Sequence, residues 1–248
     1  MIVDGHAHVG NLFGINSDNK KFVETMDTYG IDKSCVSSAE AFYYSVEGND
    51  LVANLMKEYP ERIIGFCVPN PYKDPVKEIR RCIENGFKGI KLHPWLYECP
   101  LSSSYYIPIF KEAEENNMPI LFHSGGSLSM PDFKYATPDM IFYVAESFPE
   151  LNFIVGHMGL ERWKEFIEKA IPFKNIYLDI TMSMPYWDRI NMAVDAVGAE
   201  HVTFGTDMTL IEPAISLGLI ENSNITEEEK KLILGGNILR LLDMKEDN

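Results

Sequence analysis

The sequence predicts an α/β protein, a single-domain (β/α)8 TIM-like barrel over residues 1–248. Three observations lead there. The length of 248 residues matches the roughly 250 typical of that barrel. Eight short apolar, β-rich segments recur, each followed by room for one helix and two loops. Five of the six histidines stand at or near the C-terminal end of such a segment, which is the end where barrels of this kind build their sites.

The elements follow in order. A first strand is predicted at Ile2–His8, then a helix over Lys20–Tyr29 with Phe22, Val23 and Met26 on one face. Lys33–Ser37 is the second strand, and Asp50–Tyr59 the helix behind it, with Leu51, Leu55 and Met56. Arg62–Val68 leads into Asp74–Asn85, which opens on Asp-Pro and stops before Gly86. Gly89–His93 precedes a helix over Ser104–Asn117, and Pro119–His123 one over Thr137–Phe148. In the latter, Thr137 is a candidate N-cap before Pro138 at the first helical position. Asn152–His157 with Gly159–Ala170, and Asn175–Thr181 with Pro185–Val197, complete the sixth and seventh units. His201–Asp207 is the eighth strand, and Thr226 with Glu229 forms a capping box opening the last helical region. Strand–helix alternation of this kind implies parallel strands joined by right-handed crossovers. No linker or low-complexity tract marks a domain boundary.

Composition narrows the function. A formal net charge of −15 argues against nucleic acid and anionic membrane surfaces as partners, since both call for basic patches. No run of about 18 apolar residues is present, and the opening MIVDGHAHVG lacks the basic and apolar regions of a secretory signal. Cys35, Cys67, Cys82 and Cys99 form no C-x-x-C pair, and a cytoplasmic protein with reduced thiols is expected.

Chemistry concentrates at strand ends. His6 and His8 are two apart on one strand, so alternation puts both on one face, where two imidazoles can grip one metal ion. The competing reading is a chance pair on a surface strand. His123 closes ILFH, His157 closes FIVGH and Asp207 closes VTFGTD. A buried imidazole or carboxylate is costly without a partner, so each is either a satisfied structural group or part of a site. Aromatic residues gather in the following loops: Trp95, Tyr97, Tyr105 and Tyr106 within Pro94–Tyr106, Phe42, Tyr43 and Tyr44, and Tyr186 with Trp187. They either line a pocket for a planar or apolar ligand or pack loops and a subunit interface.

At this point the sequence resembles the amidohydrolase superfamily, and within it the amidohydrolase-2 branch. The matching pieces are DGHAH at 4–8, GFKGIKLHP at 86–94, ILFH at 120–123, VGHMG at 155–159, FGTD at 204–207 and GGNILRLL at 235–242. The resemblance implies metal ligands His6, His8, His123 and Asp207, with Asp207 and His157 as the catalytic pair. It implies zinc as the usual ion, manganese or iron as alternatives, and one ion in preference to two. Lys91 falls where binuclear members place a bridging lysine; it bridges ions or binds an anionic group of the substrate. Lys91, His93 and Trp95 are the candidate substrate contacts. The loop after FGTD departs from the pattern, with Pro213 displaced. The reaction expected is hydrolysis of an amide, lactone or similar ester-type bond of a small molecule by a metal-activated water. The alternative is non-oxidative decarboxylation of an aromatic or unsaturated acid, for which Lys91 and Arg162 are candidate basic anchors. A non-catalytic metal-binding module is a third reading, and a homodimer is expected by analogy.

Overall fold

A computed structural model of the chain describes residues 1–248 apart from 13, 17, 126–133, 182–187 and 246–248. The strands are β1 (Val3–Val9), β2 (Lys33–Ser38), β3 (Ile63–Cys67), β4 (Gly89–Leu92), β5 (Ile120–Phe122), β6 (Phe153–Val155), β7 (Ile176–Asp179) and β8 (Val202–Thr203). They form one sheet in sequence order, each pair parallel. The first and last strands meet along a seam. There the Gly5 N–H donates to the Phe204 carbonyl (2.9 Å) and the Asp207 N–H to the His6 carbonyl (2.8 Å). A parallel bridge joins Ala7 to Met208. The single-domain (β/α)8 barrel expected from the sequence is the fold observed.

Helices α1 (Asn19–Tyr29), α2 (Ser45–Glu58), α3 (Pro75–Glu84), α4 (Ile107–Glu115), α5 (Pro138–Ser147), α6 (Trp163–Ala170), α7 (Arg189–Val197) and α8 (Pro213–Glu221) follow the strands. Local chemistry sets their ends. The Asp18 side chain accepts from the Lys21 N–H at the start of α1, and Gly30 closes it at φ 65°, a conformation glycine adopts at little cost. The Thr137 side chain caps α5, and the Thr226–Glu229 capping box opens α9 (Glu227–Lys231).

Three elements differ from expectation. α2 begins at Ser45, ahead of Asp50. α6 begins at Trp163 because His157, Met158, Gly159 and Leu160 adopt non-helical, positive-φ conformations. α8 went unpredicted: PAISLGLIE carries a glycine and two β-branched isoleucines, which weaken the helical signal. Only the Arg189–Val197 part of the predicted Pro185–Val197 helix is described, and Tyr186 and Trp187 lie outside the described residues.

Register decides what faces the lumen. Lys91 pairs with Leu121, Leu121 with Ile154, and Ile154 with Tyr177. Leu121, Ile154 and Tyr177 belong to the inner apolar cluster, with Val3, Cys35, Ile64 and Phe66. The alternating neighbours Ile90, Ile120, Phe153 and Ile176 belong to the outer cluster against the helices. Lys91 therefore shares the inward layer, fully buried. The final helix α10 (Asn237–Leu241) packs Ile238, Leu239 and Leu241 against that inner cluster. Among the described residues no helix is long and apolar enough to cross a membrane.

Candidate metal centre

β1 carries a bulge between Asp4 and Ala7 in its pairing with β2. Bulges re-aim side chains, and this one falls on His6. His6, His8 and Asp207, all buried, each offer a ligand atom within 4.8 Å of the others. His8 Nε2 lies 3.3 Å and His6 Nε2 3.8 Å from Asp207 Oδ1. Asp207 sits at φ 60°, beyond β8, which ends at Thr203 and not at Asp207 as expected.

A second layer fixes each ring. Asp179 Oδ2 accepts from His6 Nδ1 at 2.7 Å, which leaves Nε2 with its lone pair toward Asp207. Ser37 Oγ lies 3.0 Å from His8 Nδ1. Below them Asp4 accepts from the His6 N–H and the Thr206 N–H, both at 3.0 Å, and from the Thr206 hydroxyl. This ties the backbones of the two ligand-bearing strands together. Gly205 permits the close approach: a Cβ there would stand 2.5 Å from Asp179 Oδ1 and 2.7 Å from His6 Cβ.

The neighbouring rings form a continuous wall. His157 Nε2 lies 3.0 Å from His123 Nδ1. His123 stacks on His93, centroids 4.0 Å apart at 10°, and His93 meets Phe42 at 5.2 Å and Trp95 at 5.8 Å. His93, Trp95 and His123 are only half-buried. His157 follows β6 in a left-handed turn, with φ 61° at His157, 49° at Met158 and 46° at Leu160. Such conformations cost non-glycine residues about 1–3 kcal/mol each, so tertiary contacts must hold this turn. The His157 N–H donates to Asp179 Oδ2 at 3.3 Å, and Arg189 Nη2 donates to its carbonyl at 2.7 Å.

Electrostatics suit a cation. Burial, then Lys91, holds His6 well below its ordinary value. Burial does the same for His93 and His157 and lowers His123 to about 3. These imidazoles are neutral, the form that binds metal. Burial alone would raise Asp207, but His8, His6 and Lys91 beside it hold it below the carboxylate range. Burial lowers Lys91 to about 8, against the pull of Asp207 and Asp179. Its Nζ stands 2.6 Å from His6 Nε2. His93 Nδ1 and His157 Nδ1 are buried without a hydrogen-bond partner among the described residues. Two imidazoles, one carboxylate and oriented outer partners fit a divalent ion.

The structure thus gathers His6, His8, His93, His123, His157, Asp207, Lys91 and Trp95 at one mouth. His123 stands outside the three-residue group, paired instead with His157. The Arg162 guanidinium, a candidate anchor for a substrate acid, pairs with Glu165 on the adjoining helix. Tyr106 is fully buried and packs on Phe110, while the exposed Tyr105 meets Tyr72. Burial pushes the Cys67 thiol well up, which keeps it protonated. Sequence reasoning missed Asp179 and Arg189. Asp179 ends the strand IYLD as Asp207 ends FGTD, and that parallel was the available signal.

The family model described as amidohydrolase matches residues 3–244. A gamma-resorcylate decarboxylase of Polaromonas sp. (strain JS666 / ATCC BAA-500) is 22% identical, over 90% of this chain and 86% of the relative. The crystal structure of 5-carboxyvanillate decarboxylase from Sphingomonas paucimobilis matches with TM-score 0.79 at 16% identity, covering 98% of this chain and 99% of that one. A dihydroxybenzoic acid decarboxylase from Polaromonas sp. JS666, with bound manganese and 2-nitroresorcinol, matches with TM-score 0.80 at 16% identity, covering 99% and 98%. These relatives overturn the expectation of an amide- or lactone-cleaving hydrolase, because they are named for removing a carboxyl group. The physical reason it misled is that the ligand motifs are those of the metal, and one metal centre serves either a water or a carboxylate.

Proposed function

The chain belongs to the amidohydrolase family, and from that premise we propose that it is a divalent-metal-dependent, non-oxidative decarboxylase of an aromatic or conjugated carboxylic acid. The observation that carries this reading is the aromatic wall of Phe42, His93, Trp95 and His123 beside the His6–His8–Asp207 group. A flat ring lies against such a wall with its carboxylate toward the cationic end of the site. The named relatives support the same reaction class.

His6, His8 and Asp207 would hold one manganese or zinc ion, with His123 beside them. A bound divalent ion supplies Lewis acidity that fixes a carboxylate and draws off negative charge. The chain's own residues do the rest. The Lys91 ammonium adds positive charge for the substrate acid, and Trp95 and His93 keep its ring in plane. In the reaction the bond between the ring carbon and the carboxyl carbon breaks, and its electron pair stays on the ring carbon. A proton takes the vacated position and CO2 departs. We assign the transfer of that proton to Asp207 and His157.

The test is protein loaded with one manganese or zinc ion per chain, incubated in D2O with 2,6-dihydroxybenzoate, other hydroxybenzoates and conjugated acids. Loss of the acid absorbance, CO2 release and one deuterium at the vacated carbon are expected. His157→Ala should keep the ion and lose turnover, while His6→Ala should lose both. Failure of fully loaded protein to decarboxylate any of these acids would overturn the reading.

A further inference from the structure

The left-handed turn that presents His157 is gripped from both sides of one residue. Its N–H is held by Asp179 at 3.3 Å and its carbonyl by the Arg189 guanidinium at 2.7 Å. Arg189 Nε also lies 3.3 Å from Met158 Sδ, and the guanidinium carbon stands 5.8 Å from the Trp163 ring centroid. The residue is 2% exposed, so its charge is withdrawn from water at considerable cost. It is also the first residue of α7, directly after the N-cap Asp188. A cation at a helix N-terminus opposes the helix dipole. Burial disfavours an arginine unless its donors are engaged, and here they engage the His157 turn. A planar donor fork explains the choice, since it reaches a carbonyl and a thioether at once.

Resting on the reading of His157 as a proton-handling group, we propose that Arg189 is its positioning residue: it acts through the His157 carbonyl to aim the imidazole at the reacting carbon, and touches neither substrate nor ion. A misplacement of about 1 Å in such a group costs on the order of 100-fold in rate.

The test compares R189M and R189K with the parent protein and with H157Q. R189M is expected to melt cooperatively, to keep one manganese per chain and an unchanged KM, and to lose kcat by roughly 10–100-fold. Added to H157Q, R189M is expected to cost nothing further, because the residue it positions is gone. In metal-free protein, the ring 15N resonances of His157 and His123 are expected to move in R189M while those of His201 stay. If R189M fails to fold, R189K carries the test, since it keeps the charge without the fork and should lose kcat with the ion retained. Wild-type kcat in the arginine variants, loss of the ion, or an undiminished further loss on the H157Q background overturns the proposal. Wild-type turnover in H157Q itself sinks the proton-handling reading instead, and the ring resonances then report whether Arg189 still sets the His157 geometry.

Discussion

At the scale of single residues, the candidate site rests on side chains outside the His6–His8–Asp207 group. Asp179 accepts from the His6 ring, the His157 N–H and both donors of Thr181. Asp179→Asn replaces one acceptor oxygen with a donor that opposes His6 Nδ1–H. Manganese affinity is expected to fall about 10–100-fold, measured by calorimetric titration; unchanged affinity would show that the His6 tautomer is set elsewhere. The closeness of His6, His8 and Asp207 was legible in the sequence, because each stands at the end of an apolar strand, where a barrel gathers its polar residues. Asp179 and Arg189 were not, because their roles come from partners far along the chain. Asp179 meets His6 across 173 positions. The bulge that re-aims His6 is likewise a property of pairing with β2, and no residue of β1 announces it alone.

At the scale of elements, the strand–helix order was legible from alternation and caps, and the errors fall where tertiary contacts override local preference. The start of α6 was misjudged because a left-handed turn, held by Asp179 and Arg189, occupies residues that otherwise read as helix. Helix α2 is fastened to the barrel by Asn49. Its amide accepts from the Val68 N–H (2.9 Å) and donates to the Val68 carbonyl (3.3 Å) and Glu78 (2.7 Å). Asn49→Ala strands those buried groups and should cost about 1–3 kcal/mol in urea unfolding, with the urea slope unchanged. Burial would raise the neighbouring Glu78 carboxyl, but the Arg81 guanidinium and the Asn49 amide outweigh it and hold the group below its ordinary value. A depressed carboxylate stabilises the fold above its unfolded value of about 4.3 and loses that contribution as pH falls through its folded value. Glu78→Gln should therefore flatten the acid side of the stability profile, and an acid limb as steep as that of the parent protein would count against this account.

At the scale of the whole molecule, the candidate ligands sit on the seam where the first and last strands close the barrel. An ion held by His6, His8 and Asp207 would fasten that seam. Ion at 100 times its dissociation constant adds about 2.7 kcal/mol, equivalent to roughly 5–10 °C in melting temperature for a chain of this size. Chelation should lower the melting temperature by that amount and manganese should restore it. The same placement governs when the site can first exist. At roughly 5–20 residues per second of synthesis, the about 200 residues from His8 to Asp207 take on the order of 10–40 s to appear. Throughout that interval the growing chain carries its histidine pair without the aspartate that completes the set. The candidate ion-binding group is therefore complete only when the eighth strand arrives, and an unfinished chain offers an ion the histidine pair alone.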